Sequence, residues 1–143
     1  MQTFLPYDDP AKSARILDYK RLGKQRVETI QLLNILLRLT DKKGFSNHPA
    51  TRMWKGYEPY LVKVYLKAML VEWSRRGYNN CKSEQHYKRF MCIPYIKNSN
   101  PIKPPWITPE FCLSHQSNLV RKKSEYYSQI FDVPDNLNYI WPE

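Results

Sequence analysis

Two places in the chain set a helix-capping side chain directly before a proline, Asp9-Pro10 and Thr108-Pro109. A cap oxygen satisfies one of the unpaired N–H groups at a helix start, and proline already holds a helical φ, so each pair opens a helix. After the first pair, Ile16, Leu17, Val27, Ile30, Leu33 and Leu37 recur at helical spacing. This predicts a long helical region to about Leu39, with Gly23 inside it as a kink or a junction of two helices. Asn47-His48-Pro49 opens a short helix through Trp54 that Gly56 closes. Tyr57 to Arg76 reads as a second long helix stopped by Gly77, and Ser83 to Met91 as a short one capped by Ser83. Pro94, Pro101, Pro104, Pro105 and Pro109 then break the chain into an extended wrapping segment. A last helix is expected between Ser114 and Phe131, and Asp132 to Glu143 forms an extended tail whose Tyr139, Ile140 and Trp141 dock on the core. No alternating run is long enough for a sheet, and no repeat is present. The expected fold is all-α, a compact single-domain helical bundle over residues 1–143 with a proline-rich surface segment.

A chain of 143 residues, 42% hydrophobic, is long enough to bury a real core. Its formal net charge of +10 points to an acidic partner, nucleic acid first and an anionic membrane surface second. Eleven tyrosines favour nucleic acid, because cations and flat rings together serve phosphates and unstacked bases; the rings also suit a small core. Cys81, Cys92 and Cys112 form no CxxC pair and fit free thiols in a reducing compartment. Met1 to Pro10 lacks the pattern of a secretory signal, and no apolar run approaches the roughly 20 residues that span a bilayer. The expected location is the cytoplasm, at the nucleoid or in whatever host compartment holds the nucleic acid, with no membrane partner.

Chemistry concentrates between Leu17 and Glu28. On a helix, 100° per residue stacks Lys20, Lys24 and Glu28 on one stripe with Arg21 beside them. A carboxylate closing a basic ladder suits acid/base work on a polyanion; the same residues also make an ordinary solvated face with a Lys24–Glu28 pair. The second basic cluster runs from His115 to Lys123, where Gln116 and Asn118 could read a base edge, or Ser114 could simply cap a helix ahead of a solvated Arg121-Lys122-Lys123 turn. His48 is a phosphate donor or a capping group. The Cys112/His115 and Cys81/His86 spacings raise zinc, but the pairs are unmatched, and no metal or cofactor is expected. Dispersed glycines exclude a phosphate loop.

Met1-Gln2-Thr3-Phe4-Leu5-Pro6-Tyr7, Asp18 through Glu28, Asn47-His48-Pro49-Ala50 and Met53-Trp54-Lys55-Gly56-Tyr57 together resemble a bacterial and phage family. Ser117-Asn118-Leu119-Val120-Arg121-Lys122, Tyr126-Tyr127 and Tyr139-Ile140-Trp141-Pro142 extend the likeness to the end of the chain. That family is grouped with the pyrimidine-dimer DNA glycosylases of the phage endonuclease V type. The resemblance implies a compact all-α enzyme that binds UV-damaged duplex DNA, flips a nucleotide, cuts the glycosidic bond with its N-terminal amine, and cleaves the abasic site through an imine; the expectation is a monomer acting on damaged or modified pyrimidines in duplex DNA. It implies Met1 as the amine and a carboxylate in the first helical region. An ungapped overlay places Arg21 where the family's glutamate stands, leaving Asp18 and Glu28 as candidates, of which Glu28 shares the basic stripe. Lys20, Arg21, Lys24, Arg26, Arg121 and Lys122 would hold phosphates, with His48, His115 and Asn118 near the extruded nucleotide. A non-catalytic DNA-binding module, or an enzyme acting on a hypermodified base or RNA, needs only the cations and rings.

Overall fold

Asp9 accepts a hydrogen bond from the Ala11 N–H at 3.0 Å, and Pro10 fills the first turn of α1 (Pro10–Ile16). The computed structural model describes residues 2–41, 44 and 46–142. The long first helix expected from spacing is two helices, and they part at Leu17-Asp18 rather than at Gly23. Leu17 is extended and fully buried. Arg76 Nη2 donates to the carbonyls of Ala14, Arg15 and Leu17, which satisfies the end of α1. The Tyr127 hydroxyl accepts from the Asp18 N–H at 2.8 Å and donates to the Asp18 carboxylate, fixing the corner.

Helix α2 (Tyr19–Leu36) runs without a break through Gly23, ending short of the expected Leu39. The glycine is there for close approach: a Cβ would meet the Trp73 ring at 3.2 Å. After α3 (Pro49–Trp54), Gly56 turns the chain at a φ of 91°. The second long helix then forms from α4 (Glu58–Tyr60), a π-helical segment (Leu61–Leu66) and α5 (Lys67–Arg75). The π segment is lined inward by Leu61, Val62, Tyr65 and Leu66, and it packs on α2.

Helix α6 (Cys81–Met91) begins ahead of Ser83, because the Ser83 hydroxyl accepts from Arg26 at 2.9 Å instead of capping. One helical turn, α7 (Pro94–Asn98), interrupts the segment expected to be wholly extended; Pro94 stands at its start, the place a helix tolerates proline. Thr108 caps α8 (Pro109–Lys122) by accepting from Phe111 N–H at 3.2 Å, so this helix starts before Ser114, and α9 (Ser124–Tyr127) follows separately. The described residues contain no strand, and the fold is all-α.

The first residues are not a loose end. Gln2 to Pro6 are buried, and each is held by a side chain of the surrounding helices. Phe4 N–H donates to Gln25 Oε1 at 3.0 Å, Leu5 N–H to His115 Nδ1 at 2.8 Å, Trp54 Nε1 to Thr3 Oγ1 at 2.9 Å and Gln116 Nε2 to the Pro6 carbonyl at 2.7 Å. Extended backbone cannot bond to itself, so burying it requires such partners. The tail is tied to α8 in the same way: Leu137 N–H donates to Ser117 Oγ at 3.0 Å and Asn118 Nδ2 to the Leu137 carbonyl at 3.1 Å. Tyr139 then lies edge-on to His115, ring centroids 5.7 Å apart, as its docking role requires, while Ile140 stays exposed.

Candidate active site

Helix α2 turns Lys20, Lys24 and Glu28 to one side, with Arg21 and Gln25 on the adjoining stripe. These five side chains meet Gln2, Phe4, Lys122 and Tyr139 around a cavity of about 280 Å³. The N-terminal segment enters it beside the carboxylate: Gln2 N–H donates to Glu28 Oε2 at 3.3 Å. Among the described residues no cation lies within ion-pair distance of Glu28, so the ordinary Lys24–Glu28 helix pair does not form. Met1, the expected amine, lies outside the described residues.

Asp18, the other candidate carboxylate, is buried away from the cavity. It accepts from Tyr127 and from Arg21 Nη1 at 3.3 Å, and it holds the α1–α2 corner. Arg21 therefore spans from that corner to the cavity wall. Burial raises the Tyr127 phenol, with the bond to Asp18 adding to it. Burial also pushes the Tyr139 phenol up to about 12, so it stands in the cavity as a neutral donor at working pH.

Of the residues singled out from sequence, the cavity gathers Lys20, Arg21, Lys24, Glu28 and Lys122. Arg26 lies on another flank: six residues from Lys20 is about 240° of helix rotation. Its guanidinium sits 4.0 Å from the Trp73 ring and donates to Asn80 Oδ1 and Ser83 Oγ, and burial lowers its pKa. His115 is fully buried, its imidazole pushed down to about 3 by burial, and it therefore holds the Leu5 N–H as a neutral acceptor. Asn118 is buried between the Ser114 and Leu137 carbonyls and Arg121, where it ties the tail to α8. Arg121 donates to the Asp135 carbonyl at 2.6 Å. His48 caps α3, accepting from Ala50 N–H at 3.0 Å, and burial lowers its pKa. It lines none of the cavity.

Gln2, Phe4, Gln25 and Tyr139 line the cavity without having been marked in the sequence. Gln25 did carry a signal: it is a polar residue on the buried stripe formed by Leu22, Thr29 and Leu32. For zinc, the described residues bring no three His, Cys, Asp or Glu side chains together.

A family model described as pyrimidine dimer DNA glycosylase matches residues 1–85, more than half of the length. The chain belongs to that family. The match contains Gln2, Lys20, Arg21, Lys24, Gln25 and Glu28, while Lys122 and Tyr139 come to the cavity from beyond it. No curated protein and no solved structure matches. No helix among the described residues is long and apolar enough to cross a membrane.

Proposed function

We propose that the protein, acting as a monomer and a single domain, excises damaged or modified pyrimidines from duplex DNA and then cuts the abasic site. The observation that carries this reading is the hydrogen bond from the Gln2 N–H to Glu28, which sets the first residues of the chain against the carboxylate of a cation-lined cavity. The α-amine of Met1, one residue upstream, is the nucleophile. An α-amine titrates near 8 and a lysine near 10.4, so at neutral pH the amine is far more often unprotonated. It attacks C1′, the glycosidic bond breaks toward the base, and Glu28 takes the proton the nitrogen loses. The C1′–O4′ bond then opens, with a proton passing to O4′, to give the imine; this acidifies C2′, and loss of a C2′ proton expels the 3′ phosphate by β-elimination.

Lys20, Arg21, Lys24 and Lys122 hold phosphates around the opening. His115 and Asn118 act from within, one fixing the N-terminal segment and the other the tail that carries Tyr139 into the cavity. The test is incubation with UV-irradiated and unirradiated duplex DNA. Glycosidic-bond scission and strand cutting confined to the irradiated duplex are expected. Salt-dependent binding with no cutting would instead assign a non-catalytic DNA-binding module.

A further inference from the structure

Gln2 lines the cavity, yet it is only 5% exposed. Its backbone N–H donates to Glu28 Oε2 at 3.3 Å and its side-chain Oε1 accepts from the Thr3 N–H at 2.8 Å, while its Nε2 has no hydrogen-bond partner among the described residues. A backbone N–H can only donate, so the atom facing Thr3 is the oxygen and the amino end is the one left over. Buried polar atoms on Arg26, Thr29, Thr51, Trp106 and His115 are also without partners, but none of those residues lines this cavity. A buried donor without an acceptor is unfavourable, and at a cavity wall a ligand can supply the acceptor.

The rest of the wall selects the acceptor. Lys20, Arg21, Lys24, Lys122 and the neutral Tyr139 phenol all donate, and among the described residues Glu28 is the only carboxylate on it. A phosphodiester oxygen carries charge and only accepts, so it suits a wall of donors. We infer that Gln2 Nε2 donates to a non-bridging oxygen of the phosphate 3′ to the attacked sugar, which makes Gln2 a catalytic residue of strand cutting. This rests on the glycosylase and lyase reading above. In the elimination a C2′ proton passes to water, its electron pair forms the C2′–C3′ double bond, and the C3′–O3′ pair leaves with the phosphate. The phosphate thereby goes from a diester with one negative charge toward a monoester with two. A donor already fixed at its oxygen, as Gln2 is by Glu28 and Thr3, is worth more in that transition state than before it. Imine formation at C1′ comes first and adds no charge to the phosphate, so the Gln2 side chain has no part in it.

Imine formation and elimination are measured separately on a duplex with a preformed abasic site. Gln2→Met keeps the length of the side chain and removes the donor, and an intact mass checks that the N-terminus is unchanged. The borohydride-trapped adduct is expected to form within about threefold of the wild-type rate, since no contact made in that step is lost. Strand cutting is expected to fall about 10- to 100-fold, the scale of one hydrogen bond to a charged group. Parallel loss of adduct and cutting, the result of a displaced N-terminus, overturns the inference while leaving the glycosylase reading standing, and so does unchanged cutting. A wild-type protein that forms no adduct overturns both. A wild-type measurement covers the case in which the variant does not fold: the Gln2 side-chain amide resonance is followed with a duplex holding a tetrahydrofuran abasic analogue, which forms no imine. It is expected to shift with native phosphates and to stay in place when the phosphate 3′ to the analogue is a neutral methylphosphonate. No shift with native phosphates, a shift that survives the 3′ replacement, or one removed equally by replacing the 5′ phosphate contradicts the assignment.

Discussion

Asp18 and Glu28 carry the same functional group into opposite surroundings. Asp18 is spent on Tyr127 and Arg21 at a buried corner, whereas Glu28 meets only the Gln2 N–H among the described residues' hydrogen bonds. Glu28→Gln is therefore expected to fall in strand cutting by about 10²- to 10⁴-fold, a general-base loss, with unfolding free energy changed by less than about 0.5 kcal/mol. Asp18→Asn should do the reverse, costing about 1–3 kcal/mol in denaturant unfolding as buried partners lose their charge-assisted bonds. His115 gives a pH signature. Its folded pKa is about 3 and burial is the cause, while an unfolded histidine titrates near 6.5. The unfolded chain thus binds a proton that the folded one refuses, so this contribution is complete above pH 6.5 and is lost as pH falls toward 3. The slope approaches about 1.4 kcal/mol per pH unit. His115→Asn, which offers an oxygen to Leu5 N–H, should flatten that part of the stability profile.

At the level of the helices, the caps were the most legible part of the sequence. Asp9-Pro10 and Thr108-Pro109 start helices where local chemistry alone requires it, and both side chains make the capping bonds. What local pattern could not reveal was decided by distant residues. The α1–α2 break depends on Arg76 and Tyr127, neither of them near Leu17 in sequence. Gly23, read as a hinge, is a contact position for Trp73, whose ring is itself confined by Tyr19, Tyr78 and Arg26. Alanine there would gain about 1 kcal/mol in helix propensity, but the confined ring cannot yield, and overpacking costs about 1–3 kcal/mol. Gly23→Ala is expected to lower stability by about 1 kcal/mol in denaturant unfolding; a stabilised variant would show that Trp73 is free to move. The candidate site divides in the same way. Helical spacing placed Lys20, Lys24 and Glu28 together, because all three lie on one helix. Gln2, Phe4 and Tyr139 reach the cavity through tertiary contacts with no sequence period, and His115 and Asn118 looked like surface readers because burial is not written in residue type.

For the molecule as a whole, two chain ends converge on α2 and α8, and the charge of +10 gives that assembly its affinity for a polyanion. Each phosphate neutralised steepens the salt dependence of duplex binding by about 0.9 in log–log slope. Replacing Lys20 and Lys24 together by alanine should reduce the slope by about 2, in a titration of affinity against salt concentration. Replacing the exposed Lys88, outside the cavity, should leave it unchanged. The N-terminal segment is the centre of the account, because side chains of α2, α3 and α8 hold it against a carboxylate that makes no other hydrogen bond among the described residues. The most direct measurement is borohydride trapping on duplex DNA with an abasic site, followed by mapping of the cross-linked peptide. A covalent adduct at the N-terminal amine, abolished when that amine is blocked beforehand, is the predicted result. No adduct, or one that survives the block on a lysine such as Lys20 or Lys24, would contradict it.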